Sequence, residues 1–405
     1  MRRQDVPARC EDPDARAVLN AARSSLVFSP YRPKKVYDLD ANGRAVLFQP
    51  GRLSADALAI LSYPDPQRFA GGDSDFHRLA QRSFVYDDAL AVLWLTHDGD
   101  LDRARRVLAT LAALQRPDGA WGFGFGAGPE DGFYNAAYVR TGTVAWVVYA
   151  LAHYRVVSRD PQFDGVAERA TRWLLAQRAP GDPLLRGGAG RWRDAAHFEP
   201  DWRADFVATE HQVDAWFALR AASRAWPELA QRLDLTTTAQ QLAIAMRRSL
   251  WLPEGRYAQG LGPAGTPDRE SALDAAGTWT ALWEIAEARP EYAQQMLSWV
   301  TRVHGIDVDG WPGLRPYRDA PPETWFVEGS VALPLAYKRL GLMETARQRW
   351  QPLVQLACAA GLPLVYAPNW HADFPFTPAA APTLWLLLAG QEIVEGGAPW
   401  LWAER

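Results

Sequence analysis

Lysine is nearly missing from this chain. Of 43 cationic side chains, all but Lys34, Lys35 and Lys338 are arginine, a bias that reads as genomic base composition before function. A basic excess is missing too. With 47 acidic residues and a net charge of −4, no positive field exists to neutralise a phosphate backbone, so no nucleic-acid partner is expected. Cysteine is limited to Cys10 and Cys358. Their spacing fits no metal motif, and two cysteines make no disulfide framework, so they leave the compartment open. Every long apolar stretch is interrupted by polar residues, so no membrane span is expected. Residues 1–25 hold no apolar core of the kind a signal peptide needs. As written, the chain reads as cytoplasmic, or as periplasmic or secreted if a signal has been removed. Strand signals are poor beyond residues 35–50.

What is abundant is tryptophan, with 19 residues, inside an ordinary globular balance of 48% hydrophobic and 22% charged residues that excludes wholesale disorder. A buried indole must find a partner for its N–H. So many imply a repeated packing motif or a surface for flat, polar ligands such as sugars.

The rest of the chain has helical periodicity, in two alternating kinds of segment. Segments 87–97, 141–155, 209–223, 274–287, 328–340 and 379–394 are small or apolar nearly all round, as in helices buried on most faces. Segments 101–115, 164–177, 227–251, 290–303 and 343–360 are amphipathic, and 13–25 supplies a sixth of that kind. Recurrence at this scale indicates a repeat architecture. Six inner and six outer helices predict six αα-hairpins closed into a ring, an all-α (α/α)6 toroid. It accounts for residues 1–405 as one domain, with 1–80 an N-terminal extension that lends an outer helix. Inner-to-outer connections are short, whereas the outer-to-inner loops 116–140, 178–208, 252–273, 304–327 and 361–378 are long. All the long loops then emerge on one face, at the N-termini of the inner helices, and long loops in a compact domain usually carry function.

In this setting the segment Leu114-Gln115-Arg116-Pro117-Asp118-Gly119-Ala120-Trp121 resembles the six-hairpin glycosidase superfamily. So do the helix starts Tyr86-Asp87-Asp88-Ala89-Leu90-Ala91, Thr209-Glu210-His211-Gln212-Val213-Asp214-Ala215-Trp216 and Trp325-Phe326-Val327-Glu328-Gly329. The resemblance covers nearly everything after residue 80 and is more specific for fold than for activity. It implies a glycoside hydrolase, a sugar epimerase or a polysaccharide lyase. Terpene cyclases repeat a similar Gln-x-x-x-Gly-x-Trp motif and carry an Asp-x-Asp-Asp acid; here there is one clear copy and no such acid.

Glycosidic cleavage needs two carboxyl groups across the sugar. Asp88, Glu210, Asp274 and Glu328, each near an inner-helix start, are the candidate catalytic acids, with Asp87 beside them. The competing reading is capping, since acids at a helix N-terminus bind free N–H groups and suit the dipole. Thr209 would then be the N-cap with Glu210 in the first turn. Asp214 lies one turn after Glu210, on the same face, and His211 lies between them. Trp121, Trp311, Trp325 and Trp370, with Tyr134, sit on long loops where rings stack on sugars, and Arg140 precedes the second inner helix. Asp307, Asp309 and Asp319 share a loop without EF-hand spacing, so no metal is expected, and no cofactor. The expected partner is an oligosaccharide or polysaccharide substrate. A non-catalytic glycan-binding toroid, or a terpene-cyclase-like one with an apolar cavity, is the rival of a different class.

Overall fold

The computed structural model describes residues 10, 12–33, 35–40, 44–64, 81–127, 133–178, 181–194, 197–308, 310–321, 324–359 and 379–403. In chain order the helices are α1 (Ala15–Ser25), α2 (Val85–Asp98), α3 (Leu101–Leu114), α4 (Thr141–Ser158), α5 (Asp164–Ala176), α6 (Thr209–Ala225), α7 (Pro227–Leu233), α8 (Leu235–Leu250), α9 (Trp279–Ala286), α10 (Pro290–Val303), α11 (Val327–Arg339), α12 (Met343–Ala359) and α13 (Ala380–Ile393). A single π-turn, Asp274–Thr278, leads into α9.

Helices α2, α4, α6, α9, α11 and α13 each pack on the next, and α13 packs back on α2, so the inner ring closes. Their sequences explain it. Every residue from Thr141 to Ala152 in α4, and from Ala380 to Gly390 in α13, is buried, which a helix achieves only with neighbours on all sides. The outer helices are one-sided. In α10 the buried residues are Ala293, Met296, Leu297, Trp299 and Val300, close to the spacing of one helical face. The sixth outer helix is α1, as its amphipathic sequence predicts. It packs on α12 and α13 and covers the seam where the last hairpin meets the first.

The same seam carries a disulfide. Cys10, just before α1, is bonded to Cys358 in α12, across 348 residues of sequence. Linear spacing cannot show such a pairing, because ring closure is what brings the chain ends together.

Among the described residues, strand is confined to small two- and three-stranded antiparallel sheets of the loops and N-terminal segment. The expected strand region near 35–50 is the hairpin Val36–Leu39 with Ala45–Phe48. The long loops add others, including Arg82–Phe84 with Gly124–Gly126 and Gly305–Val308 with Trp311–Leu314. None of the helices in the described residues is long and apolar enough to cross a membrane.

The Gln115 motif has an architectural job. Gln115 Nε2 donates to the carbonyls of Gly119 and Val166, its Oε1 accepts from Arg169, and Trp121 Nε1 donates to Leu111 O. These bonds fasten the end of α3 to α5. Gly119 is required twice over: its φ is +98°, and a Cβ there would lie 2.4 Å from Arg169 O.

Candidate active site

The inner helices, like outer helices α5, α7, α8 and α10, begin without a side-chain cap. Outer helices α1 and α3 are capped by Asp14 and Asp100, which accept from the N–H groups of Arg16 and Arg103. The residues preceding α2, α4, α6, α11 and α13 are Phe84, Arg140, Ala208, Phe326 and Ala379, and none caps its helix with a side chain. Thr209 is therefore no N-cap. It lies inside α6, and its hydroxyl donates to Ala258 O. The acids of the first turns are left for other work.

Those acids converge. Glu210, Asp214, Asp274, Glu328 and Asp87 come from α6, the π-turn, α11 and α2, yet they act on one another electrostatically. Asp214 feels Glu210, Asp274 and Glu328; Glu210 feels Asp274; and Asp87 feels Glu328. Such coupling requires the inner helices to run parallel with their N-termini at a common mouth. Burial, then the charge of Asp274, pushes Glu210 up to about 8. Burial raises Asp274 as well, partly offset by the Ala275 N–H it accepts at 2.7 Å. Asp214 and Asp87 are raised well above the usual carboxylate range, first by burial. Loss of hydration penalises the charged form, and neighbouring acids add to it.

Glu210 Oε2, His211 Nδ1 and Asp214 Oδ1 are buried without a hydrogen-bond partner among the described residues. Buried polar atoms in a folded protein are nearly always paired with protein or ordered water, so these three on one helix are open to a partner from outside the chain. His211 Nε2 lies 3.8 Å from Glu210 Oε1. Burial, then the charge of Arg140, holds His211 down to about 3, so it is neutral. Gly142 of α4 makes the close approach possible: a Cβ there would lie 2.5 Å from His211 Cδ2 and 2.6 Å from Asp214 Oδ2.

On the other side Trp385 Nε1 donates to Tyr86 Oη at 2.7 Å, and Tyr86 Oη donates to Glu328 Oε1 at 2.6 Å. This relay fixes the Tyr86 hydroxyl on Glu328. Beneath the acids lies an aromatic tier. Trp146 meets Tyr86 edge-on at 5.3 Å and Trp385 at 5.8 Å, while Trp279 and Trp385 stack at 5.6 Å.

The other candidates are placed differently. Asp88 is turned away from the mouth, accepting from Ile60 N–H at 3.0 Å and Ser83 Oγ at 2.8 Å. Burial still holds it up at about 7. Neighbouring residues of a helix point about 100° apart, so Asp87 faces Glu328 while Asp88 ties α2 to the loops. The expectation that loop tryptophans offer faces to sugar is not met by Trp121, Trp311 and Trp325, which are 0%, 2% and 1% exposed. Trp121 serves the Gln115 motif. Trp325 packs on Gly313 and donates to Ser330 Oγ, with Trp311 beside it. Tyr134 is also structural: its hydroxyl donates to Leu114 O and accepts from Gly122 N–H. Trp370 lies outside the described residues, as does Asp309, while Asp307 accepts from Gly310 N–H in a turn. Arg140 stays at the mouth, 3.8 Å over the Tyr138 ring, and donates to the carbonyls of Val139, Ala189 and Gly190. Asp87, named beside Asp88 among the acids, takes the place at the mouth that Asp88 does not, and Tyr86, Trp146, Trp279 and Trp385 join it without having been candidates. The signal for Tyr86 was its place in the Tyr86-Asp87-Asp88 helix start.

The sequence matches no protein-family profile and no curated protein. Solved structures do match. A glycosidase in complex with glucose is similar with a TM-score of 0.57 at 14% identity, over 94% of this chain and 95% of that one. D-mannose isomerase has a TM-score of 0.62 at 10% identity, over 97% and 100%. Cellobiose 2-epimerase from Spirochaeta thermophila has a TM-score of 0.53 at 14% identity, over 86% and 91%. All are six-hairpin (α/α)6 toroids, and the likeness shows that fold for this chain.

Proposed function

We propose that this protein, as a single toroidal domain over residues 1–405, is a carbohydrate-active enzyme that hydrolyses a glycosidic bond of an oligosaccharide or polysaccharide. The observation that carries the reading is the convergence of five acids from four elements of the inner ring on one mouth, with Glu210 Oε2 and Asp214 Oδ1 buried and unpaired. The similar glycosidase supports hydrolysis, and the similar isomerase and epimerase support a sugar substrate.

The roles follow from the environments. Glu210, held protonated by burial and by Asp274, is the general acid that delivers its proton to the departing glycosidic oxygen. Glu328, oriented by the Tyr86 hydroxyl, is the general base that takes a proton from water as the water oxygen bonds to the anomeric carbon and the C–O bond breaks. Asp214 and His211 bind sugar hydroxyls, and Arg140 rims the entrance. Asp88, Tyr134, Trp121, Trp311 and Trp325 do structural work.

The test is turnover of a panel of 4-nitrophenyl glycosides and disaccharides by the wild-type protein and by Glu328→Gln. The variant should lose about 10²–10⁴-fold in kcat while still binding sugar. Full activity in Glu328→Gln removes this residue from the mechanism.

One observation favours a second reading. Neutral, buried His211, with Nδ1 unpaired beside Glu210, has the form of a base for an epimerase or isomerase. Incorporation of solvent deuterium into an unhydrolysed sugar would select that reading over hydrolysis.

A further inference from the structure

The chain does not stop at α13. Residues 395–399 run exposed along the end of the toroid opposite the acids, and then Leu401 and Trp402 turn inward until both are 1% exposed. The Trp402 ring enters the axis of the ring. It stacks on Phe217 at 4.8 Å and on Trp146 at 5.0 Å, and meets Trp279 and Trp385 edge-on at 5.5 and 5.6 Å. Three of these partners form the aromatic tier directly under the carboxyl groups.

The insertion is held firmly. Trp402 N–H donates to Tyr149 Oη at 2.7 Å, and Arg339 donates to the carbonyls of Trp402 and Leu401 at 3.1 and 2.6 Å. Arg339 is itself fixed by buried Glu392 at 2.9 Å. Trp402 adopts φ +52°, a region that non-glycine residues occupy only when their surroundings dictate it. Two cavities, of about 260 and 280 Å³, flank the tail on this lower face, and Pro399 and Ala403 line both. The tail is the partition between them, so the lower end of the ring is stoppered rather than packed solid.

We propose that Trp402 is a positioning residue of the active site: inserted from the far end of the toroid, it forms the floor that fixes the depth at which a sugar meets Glu210, Asp214 and Glu328. This rests on the hydrolase reading above. Trp402 acts through Trp146, on which it stacks and which meets Tyr86 edge-on, and through Trp385, which orients Tyr86 and hence Glu328. It also keeps water from reaching the acids from below.

The experiment compares wild type, Trp402→Ala, Trp402→Phe and Tyr149→Phe on a panel of 4-nitrophenyl glycosides and disaccharides, with kcat, KM and pH profile for each. Displacement of reacting groups by about 1 Å costs about 10²-fold. Trp402→Ala should therefore lose about ten- to a hundredfold in kcat/KM, chiefly in kcat. Its alkaline limb should move to lower pH as water reaches Glu210. Trp402→Phe should recover to within about threefold, and Tyr149→Phe, which loosens only the tail, should shift the limb in the same direction by less. A folded Trp402→Ala protein with wild-type kcat, KM and pH profile overturns the proposal. If Trp402→Ala does not fold, wild-type profiles in both Trp402→Phe and Tyr149→Phe overturn it instead. A wild-type protein inert toward the whole panel overturns the hydrolase reading and the floor's role with it, whereas an active wild type matched by its variants overturns the floor alone.

Discussion

Glu210→Gln tests the site through stability as well as through rate. In the folded protein Glu210 is raised from 4.5 to about 8, first by burial and then by Asp274. Between those pH values the native state holds a proton that the unfolded chain has released. The stability associated with this group is therefore full below about pH 4.5 and is lost as pH rises through about 8. At complete shielding the shift amounts to roughly 5 kcal/mol. The side chain is 26% exposed, and solvent screening reduces the figure to about 2 kcal/mol. Glutamine has no proton to lose. The difference in unfolding free energy, variant minus wild type, should thus rise by about 2 kcal/mol from pH 5 to pH 9, measured by urea denaturation at several pH values. Turnover should fall by about 10²–10⁴-fold throughout, and wild-type activity should decline above about pH 8 as the acid ionises. A stability difference that stays flat across this range, together with retained turnover, would refute both the raised carboxyl and its role. A simple cap predicts a third pattern: a pH-independent loss of about 0.5–2 kcal/mol with full activity.

Three further substitutions separate structure from chemistry. Asp88→Ala leaves the Ile60 N–H unpaired and should cost about 1–3 kcal/mol, while kcat stays within a few-fold of wild type; denaturation and turnover on the same sample decide it. Gly142→Ala drives a Cβ into His211 and Asp214 and should lower kcat/KM at least about tenfold, since misplacement of about 1 Å can cost 10²-fold. An unaffected variant would put those two side chains outside the reaction. Cys10→Ser removes the staple across the ring's seam and should cost about 2–4 kcal/mol. Dithiothreitol should lower the thermal midpoint of the wild type and leave that of Cys10→Ser unmoved.

Much of the fold was legible in the sequence because helix burial leaves a local record. A helix buried all round must be apolar all round, as α4 and α13 are, and a one-sided helix such as α10 shows its stripe every three to four residues. Alternation of the two kinds, with short and long connections, determined the ring and the face on which the long loops lie, even to an outer helix near residues 13–25. The acids Glu210, Asp214, Asp274 and Glu328 were legible for a related reason. Acidic residues inside helices that are otherwise apolar need an explanation, and their position in the first turns placed them at one end.

What only the tertiary structure decided depends on where side chains point and which distant segments meet. Asp87 and Asp88 are chemically alike and adjacent, and only the closed ring directs one toward Glu328 and the other toward Ile60 and Ser83. Loop tryptophans that composition offers to a sugar are instead consumed by packing, as Trp121 is by Leu111 O. The pairing of Cys10 with Cys358 and the entry of Trp402 beneath Trp146 join parts of the chain hundreds of residues apart. Periodicity reports which face of an element is buried. It carries no information on which partner buries it, because that is determined by the free energy of the closed ring as a whole.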